Sequence, residues 1–503
     1  MIEDTICAPA TGTSGAAIAV IRISGPRTFE ILSKVVEFRS PVLEGGRVKY
    51  GVVPGLDEVL VGIFKAPRSY TGEDSAEISC HCSPFIVSRL LEMLVDNGAR
   101  PAAPGEFTRR AFVNGKMDLA QAEAVADLIA SESRIQHKLA LNQLRGKYSE
   151  GLSSLRNELV ELSSLLELEL DFSEEDVEFA SRERLRRLLD DALAEVNRLV
   201  DSFRLGNALR QGVSVAIVGE PNSGKSTLLN ALLGEDRAIV SDIPGTTRDT
   251  VEETLNIGGI KFRFIDTAGL RESGDAIEKI GIERSYAAIE RAAIVVLVVD
   301  EAELAGELDG GVVGALAGSD GGVVGALEGS DGGVVGSVLE GELDGEGLEG
   351  ELDGSGLDGA VVAGEGGVPC KCRYEEDIRS RLSGDQTLIT VVNKVDLSPA
   401  PEGMLGISAL NGDGLDELRD RICKSVNFDT DHLMVSNERH CHALRRAASA
   451  LCAVRRGLDS GTQTDLICLD LRTAIDALNE IFGRQIGTEE VLGEIFGRFC
   501  IGK

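Results

Sequence analysis

The chain has 503 residues, 83 acidic against 51 basic side chains and a formal net charge of −32, a balance that argues against broad charge-driven coating of nucleic acid. Its length calls for about three domains; with no run of about 18 apolar residues and no charged-then-apolar leader, the sequence predicts neither a membrane span nor a secretory signal. Ten cysteines without a CxxC pair fit a reducing, cytoplasmic setting better than a disulfide framework.

Residues 1–118 are of mixed character. An apolar run at 16–23, interrupted by Arg22 and closed by Ser24-Gly25-Pro26, predicts a strand and a turn. Residues 59–64 and 73–82 read as further strands, and 85–97 as a helix with Leu90, Leu91 and Leu94 on one face, which together suggest an α/β or α+β unit. A charge inside an apolar strand needs an ion-pair partner or a ligand, and Arg22 leaves both open. Cys80-His81-Cys82 and, far downstream, Cys370-Lys371-Cys372 gather metal-binding residue types, but at a one-residue spacing that zinc sites do not use.

No proline occurs from Gly105 to Glu220, nor after Pro401. Leu152, Leu155, Leu159, Leu162 and Leu166 recur at spacings of three and four, and Leu185, Leu188, Ala192, Val196 and Leu199 continue the pattern, so long amphipathic helices are expected. Residues 440–456 and 469–482 repeat it after the central segment. The economical reading is one helical domain, discontinuous in sequence, with the central segment inserted; two separate helical domains are the alternative.

The central segment opens on the apolar strand Val213–Val218, followed by Gly219-x-x-x-x-Gly224-Lys225-Ser226 and a helix at 227–233. This spacing cradles phosphates: glycines let backbone N–H groups face the anion, Lys225 supplies a point charge at the β/γ-phosphates, and the Ser226 hydroxyl can ligate Mg²⁺. Asn222, Ser223, Gly224 and Thr227 complete the loop. Asp266-Thr267-Ala268-Gly269 follows a strand at 261–265 and fits a DxxG element. A strand at 388–392 ends in Asn393-Lys394-Val395-Asp396, where an Asp carboxylate can accept from both N1–H and the 2-amino group of guanine, a donor pair that adenine lacks. Ser408-Ala409-Leu410 fits the loop beneath the base. The nucleotide is therefore GTP or GDP.

Ser241-Asp242-Ile243-Pro244-Gly245-Thr246-Thr247-Arg248 is a Thr-rich switch in which Thr247 can close on Mg²⁺. Leu270 stands where small signalling GTPases place a water-orienting Gln, so catalysis must draw on another group. Glu272 and Glu278 are candidates, and a second cation could replace the missing arginine finger. Between DxxG and NKxD, an eleven-residue unit beginning at Asp309 recurs from Asp320 and decays by Gly359. Residues 301–370 hold sixteen acids, half of the net charge, with no Lys or Arg and 22 glycines, a composition that predicts a mobile surface excursion rather than a calcium-binding solenoid.

These motifs, with Ala17-Ile-Ala-Val-Ile-Arg-Ile-Ser-Gly25, Ser69-Tyr-Thr-Gly-Glu-Asp74, the run Pro104–Ala124 containing Glu-Phe-Thr-Arg-Arg-Ala-Phe, Asp266-Thr-Ala-Gly-Leu-Arg271 and the terminal Phe499-Cys-Ile-Gly-Lys503, resemble the MnmE (TrmE) family of tRNA-modification GTPases over nearly the whole chain apart from the glycine-rich insert. The resemblance implies a multidomain α/β plus all-α fold: an N-terminal α+β folate-binding and dimerisation domain at 1–118, helical segments at 119–210 and 428–503, and an inserted P-loop G domain with a Ras-like doubly wound sheet at 211–427, carrying the insert at about 303–368. It further implies a homodimer, K⁺-stimulated GTP hydrolysis, and a flavoprotein partner, MnmG, contributing FAD to a heterotetramer. With that partner the family places a carboxymethylaminomethyl or aminomethyl group on C5 of the wobble uridine of certain tRNAs, using a 5-formyl- or methylene-tetrahydrofolate one-carbon unit. Carried over by residue, Asn222, Ser241, Ile243 and Thr246 match K⁺ ligands, Ser226 and Thr247 match Mg²⁺ ligands, and Glu278 matches the water-orienting glutamate that acts with Thr247 and Lys225. Arg22, Glu77, Lys116 and Lys503 match folate contacts, and Cys500 matches a cysteine of debated role. A GTPase switch in ribosome assembly is the alternative reading.

If the insert is a passive excursion, deleting residues 306–359 leaves GTP hydrolysis within about tenfold of the intact chain, since added loop length costs little; steady-state phosphate release measures it, and a greater loss assigns the insert a part in the G domain.

Overall fold

The computed structural model describes residues 4–12, 15–39, 45–171, 182–220, 222–234, 253–265, 286–300, 373–384, 386–426, 433–484, 489–497, 499 and 502.

Seven strands form the first sheet: β1 (Ile6–Pro9), β2 (Ile18–Ser24), β3 (Glu37–Phe38), β4 (Arg47–Val53), β5 (Asp57–Phe64), β6 (Ser75–His81) and β7 (Arg100–Pro101), in the order β3-β4-β5-β6-β2-β1-β7. All neighbours are antiparallel except β1 and β7. The period-2 pattern decides which face is core. Ala19, Ile21 and Ile23 of β2, Val59, Val61 and Ile63 of β5, and Ala76, Ile78 and Cys80 of β6 are buried under Ile31, Leu32 and Val35 of helix α1 (Thr28–Val35) and Val87, Leu90 and Leu94 of α2 (Pro84–Asp96). Arg22 therefore points to the other face, directly across from Glu77 in register. Helix α3 (Glu106–Val113) covers that side and contributes Arg110, whose fully buried guanidinium donates to Asp4 Oδ1 at 2.7 Å, to the Asp4 carbonyl at 2.9 Å and to Glu106 Oε1 at 3.1 Å. A cation that deep persists only because so many acceptors converge on it.

Four helices follow: α4 (Leu119–Ile129), α5 (Arg134–Leu144), α6 (Lys147–Asp171) and α7 (Arg182–Gln211). Asp118 and Ser133 start α4 and α5 with reciprocal capping boxes through Gln121 and Gln136. All five leucines expected on the α6 stripe are buried. In α7 the stripe departs from expectation at one place: Leu188 is half-buried and Leu189 takes the core position, although the two fit the 3.6-residue period of 185, 192, 196 and 199 equally well, so packing against the neighbouring helices decides between them.

The second sheet contains β8 (Val213–Val218), β9 (Glu253–Ile257), β10 (Ile260–Phe264), β11 (Ile294–Asp300), β12 (Thr387–Asn393) and β13 (Leu405–Gly406), in the order β13-β12-β11-β8-β10-β9. Its pairings are parallel except for the β9–β10 hairpin. Helices α8 (Lys225–Gly234), α9 (Arg373–Arg381) and α10 (Leu415–Ser425) lie along it, and separate apolar clusters cover its two faces, as a doubly wound parallel sheet requires.

Helices α11 (Glu438–Ser460), α12 (Thr464–Phe482) and α13 (Glu489–Gly497) complete the chain. Side chains of α11 and α12 share one continuous core with α6 and α7, so the helical residues on either side of the G sheet form a single domain. At the centre of the join is Glu123 of α4, whose carboxylate accepts from Arg439 Nε at 2.9 Å and Nη2 at 3.0 Å and lies 2.8 Å from His440 Nε2. Tyr148 stacks on the His440 ring with centroids 5.4 Å apart. Phe496 of α13 and Phe499 beyond it pack with Leu119 and Ala122 of α4 and with Phe112 of α3, returning the chain to the N-terminal unit.

Burial alone would raise the Glu123 carboxyl, but the charge of His440 and then of Arg439 outweighs it and holds the group at about 2. A folded pKa below the unfolded one contributes stability that is present above about 4.3 and lost as pH falls toward the folded value. Denaturant melts at a series of pH values should show this component in the native chain and its loss in Glu123→Gln. Glu123→Ala, which leaves the half-buried Arg439 guanidinium and the buried His440 ring without their shared carboxylate, should cost about 3–5 kcal/mol.

Candidate functional site

The phosphate loop follows the buried strand β8 and feeds α8. Its shape rests on backbone that few residues tolerate. Gly219 lies so near β11 that a Cβ would sit 2.2 Å from the Val298 carbonyl, and Gly224, at φ +94°, would place one 2.1 Å from Asn393 Nδ2. Asn222 adopts φ +67° and Lys394 φ +69°, the left-handed conformation that Asn tolerates best among non-glycine residues and that is uncommon for Lys. Lys225 Nζ donates to the Glu220 carbonyl at 2.6 Å, which keeps its charge over the loop's own backbone, and Ser226 sits half-buried at the start of α8.

Asn393 ties this loop to the base-side loops. Its Nδ2 donates to the Ser223 carbonyl at 2.8 Å, and its Oδ1 accepts from the Ala409 amide at 3.0 Å. Ser408 Oγ donates to Asp396 Oδ1 at 2.6 Å and accepts from the Asn411 amide at 3.2 Å, so the carboxylate that would read guanine is oriented before any base arrives. Leu410 is largely exposed beside it. Val395 continues the tetrad with its amide bonded to the Ile407 carbonyl at 3.2 Å. Thr227 is exposed on the first turn of α8.

Sequence reasoning missed Asp300. It ends β11 opposite Asn393 in register and forms an ion pair with Lys394. The signal was available as an acid closing an otherwise apolar strand beside the NKxD strand. The predicted site residues Ser241, Asp242, Ile243, Pro244, Gly245, Thr246, Thr247, Asp266, Thr267, Ala268, Gly269 and Glu278 lie outside the described residues, as do Leu270, the glycine-rich insert, Cys500 and Lys503.

Of the second predicted group, Arg22 and Glu77 meet in the N-terminal unit. Arg22 Nε and Nη2 donate to Glu77 Oε1 at 3.0 and 2.8 Å, and Nη1 donates to the Gly502 carbonyl at 3.2 Å. Both sequence-level possibilities for Arg22 start from this geometry: it has its ion-pair partner, and it touches the residue next to Lys503. The rings of Tyr70 and Phe107, which sequence reasoning did not single out, flank the guanidinium at 5.3 and 5.5 Å. Tyr70 is braced by Thr108 at 2.8 Å. Lys116 is exposed, its stem against Gly72 and its Nζ donating to the Pro67 carbonyl at 3.0 Å, so it borders the loop that carries Tyr70.

The residues of the Cys80-His81-Cys82 triplet point to three different partners. Cys80 donates to the Ala19 carbonyl, His81 Nδ1 lies 2.8 Å from Asp57 Oδ1, and Cys82 donates to the Gly12 carbonyl. Burial, with the nearby Asp57 charge, pushes the Cys80 thiol up to about 11, away from the thiolate a metal would need. Among the described residues no helix is long and apolar enough to cross a membrane.

Two family models match the chain: the GTP-binding protein TrmE N-terminus over residues 5–116, and the MnmE helical domain over 119–500, a span that brackets the G sheet. A tRNA modification GTPase MnmE of Porphyromonas gingivalis is 44% identical, the match covering 100% of this chain and 98% of that protein. The protein of the same name from Bacteroides fragilis is 42% identical with both covered fully, and that of Flavobacterium johnsoniae 41%, covering 100% of this chain and 99% of its own. Among solved structures, the G domain of the T. maritima FeoB iron transporter overlaps 43% of this chain at 20% identity and a TM-score of 0.22, too slight a likeness to argue from. Full-length identity above two in five, joined to a phosphate loop locked to an NKxD strand inside one helical domain, establishes that the chain is a GTP hydrolase belonging to the MnmE family of tRNA modification GTPases.

Proposed function

We propose that this enzyme couples GTP hydrolysis to the addition of a carboxymethylaminomethyl or aminomethyl group at C5 of the wobble uridine of certain tRNAs, acting as a cytoplasmic homodimer with the flavoprotein MnmG. The observation that carries the GTP half is the Asp396 carboxylate fixed by Ser408, a preset acceptor pair for guanine. The tRNA half rests on full-length membership of the family. Nucleoside analysis of tRNA from cells lacking this protein tests it: the C5-modified wobble uridine should disappear, and its persistence would point to a different task.

The residues present suit the groups the reading requires. Ser226 offers a hydroxyl at the head of α8, with Thr247 as the second protein oxygen for Mg²⁺, which would neutralise the phosphates. Asn222, whose left-handed backbone holds an exposed neutral amide at the phosphate loop, has the hard oxygen donor that K⁺ takes, and the oxygens of Ser241, Ile243 and Thr246 would complete its shell. Bound there, K⁺ would supply the positive charge between the β- and γ-phosphates that an arginine finger gives elsewhere. Glu278 would orient the attacking water, with Lys225 and Thr247 beside it. In the N-terminal unit, Arg22 and Lys116 are the cations for a tetrahydrofolate derivative, and Glu77 with Lys503 completes the set; Tyr70 and Phe107 supply flat apolar surface next to Arg22. When bound, that folate would donate the one-carbon unit.

The cation assignment is tested with Asn222→Ala and Asn222→Gly, the second of which removes the amide oxygen without the strain, about 1–2 kcal/mol, of a Cβ at positive φ. Both should lower kcat in KCl by on the order of 10²-fold, with nucleotide affinity nearly unchanged, and abolish the difference between KCl and NaCl. Equal wild-type rates in the two salts would shift the role to an arginine such as Arg248 or Arg271.

Lys116→Ala should weaken binding of 5-formyltetrahydrofolate by about tenfold to a hundredfold, the loss of one charge-assisted contact, while GDP affinity stays the same. Calorimetry with both ligands measures it. Arg22→Ala should weaken folate binding further, accompanied by a lower melting temperature from the stranded Glu77.

A further inference from the structure

The turn of the β9–β10 hairpin is fastened to the helical domain, and we infer that the first turn of α5, with Glu132 before it, is a positioning clamp through which the nucleotide state of the G domain and the conformation of the helical domain report on each other.

The placement is informative. β9 follows the switch segment that ends in Thr247-Arg248, and β10 runs straight into Asp266 of the DxxG element, so one short antiparallel pair joins the two nucleotide-facing segments. Its Gly258-Gly259 turn faces away from them, toward α5. The second N–H of α5, at Ile135, has no partner within its own helix, and it donates to the Gly259 carbonyl at 3.1 Å. A helix end is thus capped by another domain's turn. Two side-chain contacts flank that bond: Lys261 pairs with Glu132 at 2.7 Å, and Asn256 Nδ2 donates to the Glu132 carbonyl at 3.2 Å. The Ile135 side chain, 8% exposed, is counted in the apolar core of the G sheet with Leu255, Ile257 and Phe262, not in the helical core.

The clamp continues into the helical domain by contiguous bonds. Gln136, buried next to Ile135, accepts from the Glu132 and Ser133 amides through Oε1 and donates through Nε2 to the Arg210 carbonyl at 2.8 Å. Arg210 in turn pairs with Asp127 of α4 at 2.7 Å, and it stands at the end of α7, three residues before β8 and the strand that carries the phosphate loop. Beside this chain of contacts lies a cavity of about 300 Å³ lined in part by Ala130, Leu139, Ala140, Gln143 and Ser436. The space is a cleft partly open to solvent, with Ala130 exposed and Leu139 half-buried, so α5 has room to shift on that side while its first turn stays bound to the hairpin. A joint that is bonded on one side and borders a partly open cleft on the other is the kind of element whose position two sites can bias together, and the bias acts equally in both directions.

The inference rests on the chain being a GTP hydrolase, so the test reads nucleotide binding and clamp behaviour in the same full-length sample. Amide hydrogen exchange is followed for the peptide covering residues 132–140 in the free enzyme, with GDP, and with a non-hydrolysable GTP analogue, after fluorescence titration has shown that each nucleotide binds. The expected result is a change of at least about tenfold in exchange of the α5 first turn between the GDP and GTP-analogue states. In the double variant Asn256→Ala, Lys261→Ala that difference should fall to less than about threefold while GDP affinity stays within about twofold of wild type; Lys261→Arg should retain it. If the double variant fails to fold, Asn256→Ala alone should show a reduced response. Identical α5 exchange in all nucleotide states, or a full response in the double variant, overturns the clamp. Failure of the wild type to bind either nucleotide would instead overturn the GTP-hydrolase reading beneath it.

Discussion

The helical domain must close across an inserted G sheet, and the interaction that closes it is the carboxylate of Glu123 shared by Arg439 and His440, residues more than three hundred positions downstream. Such a group can stay ionised in the interior only if both partners are in place, so it specifies one way for the two halves to meet. The apolar contacts of α6 and α7 with α11 and α12 supply the bulk of the driving force, but leucine stripes slide and this polar knot does not. The cost of closing the chain around an insertion grows only with the logarithm of its length, which is why a whole nucleotide domain can sit between α7 and α11 without opening the helical core. The same closure returns α13 to α4 and lays the Gly502 carbonyl against Arg22, so the surroundings of Arg22 include a residue 480 positions downstream.

Strain in this molecule is concentrated at the nucleotide loops. Among the described residues the two non-glycine side chains at positive φ are Asn222 and Lys394, one in each of the loops that would grip GTP. Each is held by its surroundings: the phosphate loop is pinned to β12 through Asn393 and Ser223, and Lys394 is paired with Asp300 at the end of β11. A strained conformation persists where neighbours over-determine it, and the return is a site whose donors and acceptors are aimed in advance.

Much of this was legible because periodicity and motif spacing are local. The strands Val213–Val218 and Ile294–Asp300 fall where apolar runs place them, and the stripes of α6 and α11 follow from spacings of three and four. The exchange of Leu188 for Leu189 shows the limit of that reasoning: two adjacent leucines both satisfy a loose pattern, and only the facing helix chooses between them. Strands β1 and β4 escaped notice for a related cause. Ile6–Pro9 is too short to show alternation, and Arg47–Val53 breaks its alternation with Gly51 and an exposed Val48. At the site, the tetrad and the phosphate loop announced themselves, whereas Asp300, Tyr70 and Phe107 acquire meaning only when pairing brings distant segments together. Arg22 is the instructive case. A charge in an apolar strand was visible at once, but that it faces Glu77 across a strand pair and touches the chain terminus is a fact of register and closure.

The two candidate sites have no sequence in common, and the helical domain is the structure that both touch. On one side Phe496 and Phe499 pack against α4, next to the unit containing Arg22. On the other, Asp127 near the end of α4 holds Arg210, and Arg210 stands three residues before β8. Helix α4 spans eleven residues, roughly 16 Å at 1.5 Å per residue, so the distance between these anchor points is bridged by one rigid element whose centre is the buried Glu123. Rigid transmission requires that its ends not fray: the Asp118 capping box secures the first turn, and the bonds of Asp127 and Arg210 secure the last. A helix fixed at both ends and ion-paired in the middle cannot absorb a displacement internally. The two candidate sites therefore bear on opposite ends of one well-anchored helix, and the partly open cleft between the end of α4 and α5 lies at the end nearer the G sheet.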